Sequence, residues 1–327
     1  MIPPPQIIPD LLDGFRRSKT LFTAIELGVF EATPTTAASF SALAGSEEHA
    51  TELLLDACVS LGLLVRTAEE YANTPEAEIY LKRTSPHTLA GYALYSNSIL
   101  WRLWDHLPDA VREGTHRWPQ AFGMQGPIFS HFFQTPDAMR TFLTGLHGFG
   151  MLSSPQAIAA HDLSEVKHFV DLGGGTGHLS LAFLDRYPLA QATVFDLPQV
   201  IPLTREITNN RVATAAGDFF LDPLPHADCY AVARILHDWS LPKIETLVSK
   251  IYQALPANGR LLICETLINE ARTGPARSLL QSLNMLTCTE GQERSAAEYD
   301  QICKAAGFTS THAVITGAPV DAVLAIK

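Results

Sequence analysis

Hydrophobic residues in the N-terminal part of the chain recur at helical spacing. Between Asp10 and Phe30 the apolar positions lie three, four or seven residues apart, which predicts an amphipathic helix that ends near Gly28. A second pattern of this kind covers residues 46–64, and Ser46 is a residue type that commonly caps a helix N-terminus. We expect the apolar face of this second helix to consist of Leu53, Leu54, Cys58, Leu61 and Leu64.

Two short apolar runs, residues 63–66 and 71–73, flank a polar turn and could pair as a hairpin. Helices followed by a small hairpin predict a winged-helix-like domain, all-helical apart from that hairpin, over residues 1–90. The candidate recognition helix disfavours DNA binding, because it has no Lys or Arg before Arg66 and carries the acids Glu47, Glu48, Glu52 and Asp56. We therefore expect this domain to mediate dimerisation with a second copy of the chain.

An aromatic-rich pattern over residues 94–113 predicts one long helix, followed by a loop at 114–120 and a further helix at 136–152. Aromatic stripes of this kind are most often core residues. The alternative is that some of these rings, Trp101 among them, line a flat apolar pocket. Gly148 and Gly150 would then form turns that lead into the second half of the chain.

That second half alternates strand-like and helix-like patterns. Strands are predicted at 168–172, 192–196, 212–216, 228–235 and 259–265, and the clearest helices at 243–255 and from Ser295, with capping-box spacing, to Gly307. Two strand-like runs within 309–326 should close the sheet with an antiparallel edge. The predicted fold of residues 91–327 is α/β, a Rossmann-like doubly wound sheet with a helical substrate-pocket insert.

Four glycines follow the first of these strands and indicate a cofactor cradle. The turn begins after Asp171, and its spaced glycines are Gly173, Gly175 and Gly177. A dinucleotide fingerprint would need Gly or Ala where His178 stands, which disfavours a nicotinamide dehydrogenase. Acids at the next two strand ends fit the ribose and adenine of a nucleoside without a pyrophosphate, and the residues concerned are Asp196, Leu197, Gly217, Asp218 and Phe219. S-adenosylmethionine fits this pattern best.

His237 lies just after the strand predicted at 228–235, on the same edge of the sheet. Imidazole ordinarily titrates near neutrality and can remove a proton from a hydroxyl. Asp238 is its neighbour, and Glu265 at the next strand end or a glutamate of the later loop, Glu290 or Glu293, could orient the ring. A lone histidine is more often structural, but this placement favours a catalytic base.

Composition and charge exclude several classes of protein. The 327 residues are 46% hydrophobic and carry a formal net charge of −11, which opposes binding to nucleic acid or to anionic membranes. The five cysteines lack C-x-x-C spacing, so we expect neither disulfides nor a metal site. Because no signal peptide or long apolar run is evident, we expect a cytoplasmic protein.

Four sequence blocks resemble the S-adenosylmethionine-dependent O-methyltransferases of the caffeate and hydroxyindole type: VDLGGGTG at 170–177, VFDLP at 194–198, GDFF at 217–220 and LHDW at 236–239. Within that family, residues 51–56, 109–114, 282–286 and 289–295 are most similar to the acetylserotonin O-methyltransferases. The resemblance implies a homodimer with interleaved N-terminal domains and a catalytic base at His237 flanked by Glu265 and Glu293. It also implies that Gly173, Asp196, Asp218, Phe219 and Arg234 contact the cofactor, and that Asn284 and Met285 face the acceptor.

The chain departs from the acetylserotonin pattern at two positions. Phe133 stands where those enzymes have a tyrosine near the cofactor, and Cys288 stands where they have a glutamine near the acceptor. Thiols hydrogen-bond weakly, so the resemblance predicts the reaction and leaves the acceptor open. We expect O-methylation of a small phenol or hydroxylated heteroaromatic. The alternatives are S- or N-methylation on the same fold and a non-catalytic relative.

Overall fold

The computed structural model describes residues 7–126 and 128–327. The chain divides into two compact units, of which the first ends at Trp101 and the second runs from Arg102 to Lys327. The boundary expected after residue 90 stays a prediction, and the helix Ala90–Tyr95 packs on the long N-terminal helix within the first unit. In the described part of the chain, no helix has the length and apolarity needed to cross a membrane.

The first unit consists of short helices and a three-stranded antiparallel sheet of order β1-β3-β2. Its elements are α1 (Ile7–Leu27), α2 (Val29–Ala32), β1 (Thr35–Thr36), α3 (Ala37–Ala44), α4 (Glu48–Ser60), β2 (Leu64–Thr67), β3 (Glu70–Asn73), α5 (Pro75–Tyr80) and α6 (Ala90–Tyr95). The predicted hairpin is confirmed as β2 and β3. The predicted cap of α4 is wrong by one residue, because the Glu47 carboxylate, not Ser46, accepts the first free N–H groups of the helix.

The long helix predicted over residues 94–113 is wrong, since the structure breaks it into pieces. After α6 comes a π-helical turn at Ser96–Leu100, followed by α7 (Trp101–Trp104) and α8 (Leu107–Glu113). Pro108 lies in the first turn of α8. A backbone N–H at that position would have no acceptor within the helix, so proline costs the helix no hydrogen bond there. Pro108 has no N–H for the backbone hydrogen bond that one continuous helix would need there, so α7 ends and α8 begins just before it.

The second unit contains a seven-stranded sheet of order β6-β5-β4-β7-β8-β10-β9. Its further helices are α9 (Trp118–Phe122), α10 (Ile128–Phe132), α11 (Pro136–Ala159), α12 (His178–Arg186), α13 (Ile201–Ile207), α14 (Leu241–Ala254), α15 (Ala276–Cys288) and α16 (Ala296–Ala306). The strands are β4 (His168–Leu172), β5 (Gln191–Asp196), β6 (Ala213–Ala216), β7 (Cys229–Ala233), β8 (Arg260–Glu265), β9 (Ser310–Val314) and β10 (Asp321–Ile326).

The predicted α/β sheet is confirmed. Strands β4 to β8 run parallel, and β10 pairs antiparallel with both β8 and β9. Apolar side chains from alternate strand positions feed separate cores on the two faces of the sheet, as in doubly wound folds. The chain reverses direction across the sheet between β4 and β7, and the carboxyl ends of these neighbours flank a crevice where such folds bind ligands.

Helix α11 is longer than predicted, and the turns expected at Gly148 and Gly150 are wrong. Both glycines lie inside the helix and are buried. A Cβ at Gly150 would lie 2.2 Å from Cδ2 of His178, so this glycine allows α12 to approach closely. The predicted loop at 114–120 likewise contains the start of α9.

Candidate active site

The glycine turn after β4 has the geometry of a cradle. Gly173, Gly175 and Gly177 have φ values of 67°, 53° and 78°, which residues with a Cβ rarely adopt. A Cβ at Gly173 would lie 2.6 Å from the Ile235 side chain and 3.3 Å from the ring of Phe219. The turn is therefore closed to larger residues at the point where backbone N–H groups are presented.

Two buried carboxylates support this turn. Asp196 accepts hydrogen bonds from the N–H of Gly175 at 2.8 Å and from the N–H of Leu197 at 2.7 Å. Asp171 accepts from the Ser180 hydroxyl at 3.1 Å, and its Oδ1 has no hydrogen-bond partner among the described residues. Burial raises the pKa of Asp171 to about 7 and that of Asp196 to about 6.

The third strand end lies beside the same turn. Asp218 accepts a hydrogen bond from the N–H of Phe220 at 2.7 Å, which fixes a tight turn directly after β6. A Cβ at Gly217 would lie 2.4 Å from the ring of Phe195, so this glycine too is required by close packing. The ring of Phe219 contacts Phe220 and Trp239 edge-on. The structure thus brings Gly173 and Phe219 together, and a flat group could lie against this ring.

His237 occupies a single 3₁₀ turn between β7 and α14 and is buried. Its Nδ1 lies 2.7 Å from Oε1 of Glu293 and 3.4 Å from Oε2 of Glu265, and its Nε2 lies 3.8 Å from Oδ1 of Asp238. Glu265 is itself held by the N–H groups of Ile235 and Leu236, which donate to Oε1. The three carboxylates expected near His237 are therefore present, with Nδ1 fixed and Nε2 on the opposite side of the ring.

The loop between α15 and α16 shapes this cluster. A Cβ at Gly291 would lie 2.1 Å from the backbone oxygen of His237, so the loop carrying Glu293 can approach only with glycine there. Glu290, the alternative orienting acid, instead forms an ion pair with Lys243 at 2.7 Å. Between the two glutamates of that loop, the structure selects Glu293 as the residue that contacts the imidazole.

The charges around His237 correct the expectation that it titrates near neutrality. Burial alone would lower its pKa, but the carboxylates of Glu265, Glu293 and Asp238 outweigh burial and raise the pKa to about 10. Burial in turn raises the pKa of Glu265 to about 7 and that of Asp238 to about 6. The imidazole is thus a stronger base than free histidine, and its protonated form is stabilised by neighbouring charge.

His237, Glu265 and Glu293 also bring three possible metal ligands within 4.8 Å of one another. The 2.7 Å separation of Nδ1 and Oε1 is that of a direct hydrogen bond. One oxygen of Glu265 is already engaged by two backbone N–H groups. This geometry favours carboxylates that orient an imidazole over a set of ligands that surrounds an ion.

The expected acceptor residues lie on α15, which packs against the turn that carries His237. Asn284, Met285 and Cys288 are all buried. The indole N–H of Trp104 donates to Oδ1 of Asn284 at 2.8 Å, and Cys288 donates from Sγ to the backbone oxygen of Asn284 at 3.0 Å. Sequence reasoning included Trp104 only as one ring of the aromatic pattern and did not predict its hydrogen bond to Asn284.

The other expected residues lie as follows. Phe133 packs against Phe142 and belongs to the cluster that includes Leu197, on the cofactor side. Arg234 follows β7 in a left-handed conformation with φ of 56°, an uncommon backbone state typical of functional turns. Trp101 contacts Phe22 and Lys19 within the first unit. Its expected role in substrate binding stays a prediction.

A group of aromatic rings that the sequence did not single out packs around Phe133 and Trp239. Phe129 lies 5.4 Å from Trp239 and 5.9 Å from Phe133, measured between ring centroids. Phe132 stacks on Phe142 at 4.3 Å and meets Trp118 edge-on. The segment around α10 thus adds apolar surface between the two predicted binding regions.

Comparisons with known proteins agree with this geometry. Residues 9–83 match the model of the O-methyltransferase dimerisation domain, and residues 104–309 match that of the O-methyltransferase domain. The chain is 40% identical to acetylserotonin O-methyltransferase of Bos taurus over 98% of this chain and 97% of the relative.

Solved structures give the same result. The chain is similar to human N-acetylserotonin methyltransferase in complex with SAM, with a TM-score of 0.94, 38% identity, and coverage of 98% of this chain and 96% of that one. It is also similar to PigF with SAH, with a TM-score of 0.89, 28% identity, and coverage of 99% and 100%.

Proposed function

The chain belongs to the S-adenosylmethionine-dependent O-methyltransferase family, and from this premise we propose that it methylates the hydroxyl of a small, flat aromatic acceptor with His237 as the base. The supporting observation is the buried cluster in which Glu293 and Glu265 face Nδ1 of His237 and leave Nε2 free to meet an acceptor. The resemblance noted in the sequence and the matched relatives point to the same reaction.

The residues around the glycine turn fit S-adenosylmethionine. The unpartnered Oδ1 of Asp171 and the Asp196 carboxylate put buried acidic oxygens beside the turn, and a ligand that carries positive charge would favour their ionised forms. We assign Asp196 and Leu197 to the ribose, and Asp218, Phe219 and Gly217 to the adenine. Gly173 and Gly175 would contact the remaining part of S-adenosylmethionine, and Arg234 would lie near that part.

When bound, the cofactor would supply a methyl group on a cationic sulfur, and that sulfur would keep the electron pair of the broken carbon–sulfur bond. Nε2 of His237 would take the proton of the acceptor hydroxyl as its oxygen attacks the methyl carbon. A phenol has a pKa near 10 and is mostly protonated at neutral pH, so removal of its proton strengthens the nucleophile. Glu293 and Glu265 stabilise the resulting imidazolium, and Asp238 adds negative charge on the Nε2 side.

The acceptor side favours an aromatic hydroxyl of the hydroxyindole type. The bovine relative is named an acetylserotonin O-methyltransferase. In this chain Asn284, Met285 and Cys288 form the corresponding wall, and Cys288 offers only a weakly polar thiol that already donates to the backbone of its own helix. We therefore propose that the acceptor is a flat ring with one reactive hydroxyl and that it does not need a polar tail.

Two measurements test this function. Calorimetry with S-adenosylmethionine should show binding by the purified protein, and a panel of phenols, hydroxyindoles and thiols with a labelled methyl donor should show transfer to a hydroxyl. Transfer only to thiols would favour the S-methylation alternative, since thiols ionise more readily and depend less on a base. A protein that binds no S-adenosylmethionine would be a non-catalytic relative, and the proposal would be wrong.

We propose a homodimer formed through the N-terminal unit. Helix α1 exposes an apolar surface made of Ile7, Ile8, Leu11, Leu12 and Phe15. Such a contiguous patch on a small domain is typical of a protein interface. Arg66 is engaged in ion pairs with Glu52 and Asp56, so the helix and hairpin present little free positive charge for nucleic acid. A cytoplasmic location and the absence of nucleic-acid and membrane partners remain our expectation.

A further inference from the structure

One face of helix α11 contacts the glycine turn residue by residue. Leu143 lies 3.4 Å from where a Cβ of Gly175 would be, and Nδ1 of His147 shares a hydrogen bond with the Thr176 hydroxyl at 2.9 Å. Thr176 is buried, and both contacts are made one helical turn apart. This part of α11 therefore touches the middle of the turn directly.

The next two turns of the same face contact the beginning of α12. The ring of His178 lies against the bare backbone of Gly150, and its Nδ1 lies 2.8 Å from the hydroxyl of Ser154. Residues 143, 147, 150 and 154 follow the spacing of a single helical face. We call these four residues the turn-facing stripe of α11.

Other parts of the turn are held by different elements. Gly175 donates its N–H to Asp196 and accepts a hydrogen bond at its backbone oxygen from the Thr204 hydroxyl at 2.6 Å. The side chain of Thr176 is held from α11, through His147. His147 is thus the side chain by which α11 fixes the polar group of the turn.

The charge state of this region suits a cationic ligand. Burial lowers the pKa of His147, and burial lowers the pKa of His178 to about 3, with His147 and Arg234 as smaller contributions. Both imidazoles are therefore neutral at physiological pH. Arg234 already places positive charge near His178, so neutral rings avoid further positive charge beside a sulfonium.

We propose that His147 is a positioning residue for cofactor binding, which holds the Thr176 hydroxyl, and with it the glycine turn, in the conformation that binds S-adenosylmethionine. The inference rests on the proposed function only in the identity of this ligand. His147 lies outside the catalytic cluster, so its loss should weaken cofactor binding and leave the methyl-transfer step largely unchanged at saturating cofactor.

The test is a double-mutant cycle on His147→Leu and Thr176→Val, with S-adenosylmethionine affinity measured by calorimetry. Each single variant leaves one partner of a buried hydrogen bond unpaired and should weaken binding roughly three- to tenfold. The double variant should bind no more weakly than the weaker single variant, because both groups act through the same hydrogen bond. His147→Asn, which can place a polar atom near the position of Nδ1, should bind within about twofold of the wild type.

The matched control is Thr144→Val, which alters an exposed threonine on the other side of α11 and should leave affinity unchanged. Affinities equal to the wild type in both single variants, or losses that add in the double variant, would overturn the inference. Should His147→Leu fail to fold, Thr176→Val and His147→Asn still decide the question. A wild type that binds the cofactor but methylates nothing would contradict the proposed function and leave this affinity test intact.

Discussion

The proposed cofactor side and the proposed acceptor side of the second unit are built in different ways. On the cofactor side, the turn after β4 and the acids after β5 and β6 come from successive strand ends, and much of the contact surface is backbone. On the acceptor side, the side chains come from elements far apart in the sequence: α7, α15 and the loop before α16. Trp104 and Asn284, which share a hydrogen bond there, lie 180 positions apart in the chain.

This difference separates binding of the methyl donor, which any acceptor requires, from recognition of one particular acceptor. A cradle of glycines and strand-end acids can hold one ligand whatever the acceptor is, since few side chains need to change. Side chains carried on separate helices can vary one at a time, which alters the acceptor and leaves the donor site intact. Variants on the cofactor side should therefore alter the affinity for S-adenosylmethionine, and variants on the acceptor side should alter turnover or the KM of the acceptor.

The largest effect is expected from His237→Ala. Removal of the base should lower kcat by roughly 100-fold or more, because general base catalysis typically contributes that much. Affinity for S-adenosylmethionine should stay within about threefold, since the ring contacts carboxylates and not the glycine turn. Steady-state kinetics and calorimetry on the same preparation would check both parts.

The control for this variant is His312→Ala, an exposed histidine of β9 that should leave both quantities unchanged. Unchanged turnover in His237→Ala would show that His237 is not the base. A loss of S-adenosylmethionine affinity alongside the loss of kcat would show that the two sides do not act independently.

The next largest effect is expected from Gly173→Ala, on the cofactor side. An added Cβ at this position would lie 2.6 Å from Ile235 and would also have to adopt a φ of 67°. The combined strain should weaken S-adenosylmethionine binding by roughly 10- to 100-fold. Gly317→Ala is the matched control, because Gly317 has a φ of 74° but open space around it. An equal loss in both variants would mean that backbone strain alone is responsible.

The arrangement of the proposed cofactor side was predictable from the sequence because it depends on local structure. A glycine needed at positive φ and an acid needed at a strand end are fixed by residues next to them, so Gly173, Asp196 and Phe219 could be placed from short motifs. The same reasoning failed for Gly148 and Gly150. Those glycines resemble turn residues in sequence, and for Gly150 only the packing of His178 against α11 shows why glycine is needed inside a helix.

The acceptor side was only partly predictable because its geometry depends on distant contacts. His237 and Glu265 follow strands and could be expected at the same edge of the sheet. The choice of Glu293 over Glu290 depends on how closely the loop at Gly291 packs against His237. The pKa of His237 could not be inferred either, since it results from three carboxylates that meet only in the folded chain.

A smaller effect is expected on the pH dependence of the reaction. Only neutral His237 can accept a proton, and its pKa of about 10 means that the neutral fraction rises with pH across the neutral range. The logarithm of kcat/KM should therefore increase with pH up to about that value. Glu293→Gln removes one of the charges that raise this pKa, so the rising limb should move to lower pH while the maximal rate falls by roughly tenfold.

The comparison of the two profiles separates ionisation of the enzyme from that of the acceptor, whose own pKa is the same in both experiments. Lys243→Gln is a suitable control, because Lys243 pairs with Glu290 in the same loop and does not contact the imidazole. A profile that reaches its plateau near pH 7 in the wild type would contradict the raised pKa.

The smallest effect is expected from Trp104→Phe, on the acceptor side. The indole N–H is only a donor, so it fixes the Asn284 amide with Oδ1 toward the ring and Nδ2 on the other side, where it faces Cys288. Without this hydrogen bond the amide can rotate, and KM for the acceptor should rise roughly threefold while S-adenosylmethionine affinity stays unchanged. Tyr252→Phe, which changes a ring packed on Phe308, should alter neither quantity. A change in cofactor affinity with an unchanged acceptor KM would show that Trp104 acts on the other side of the site.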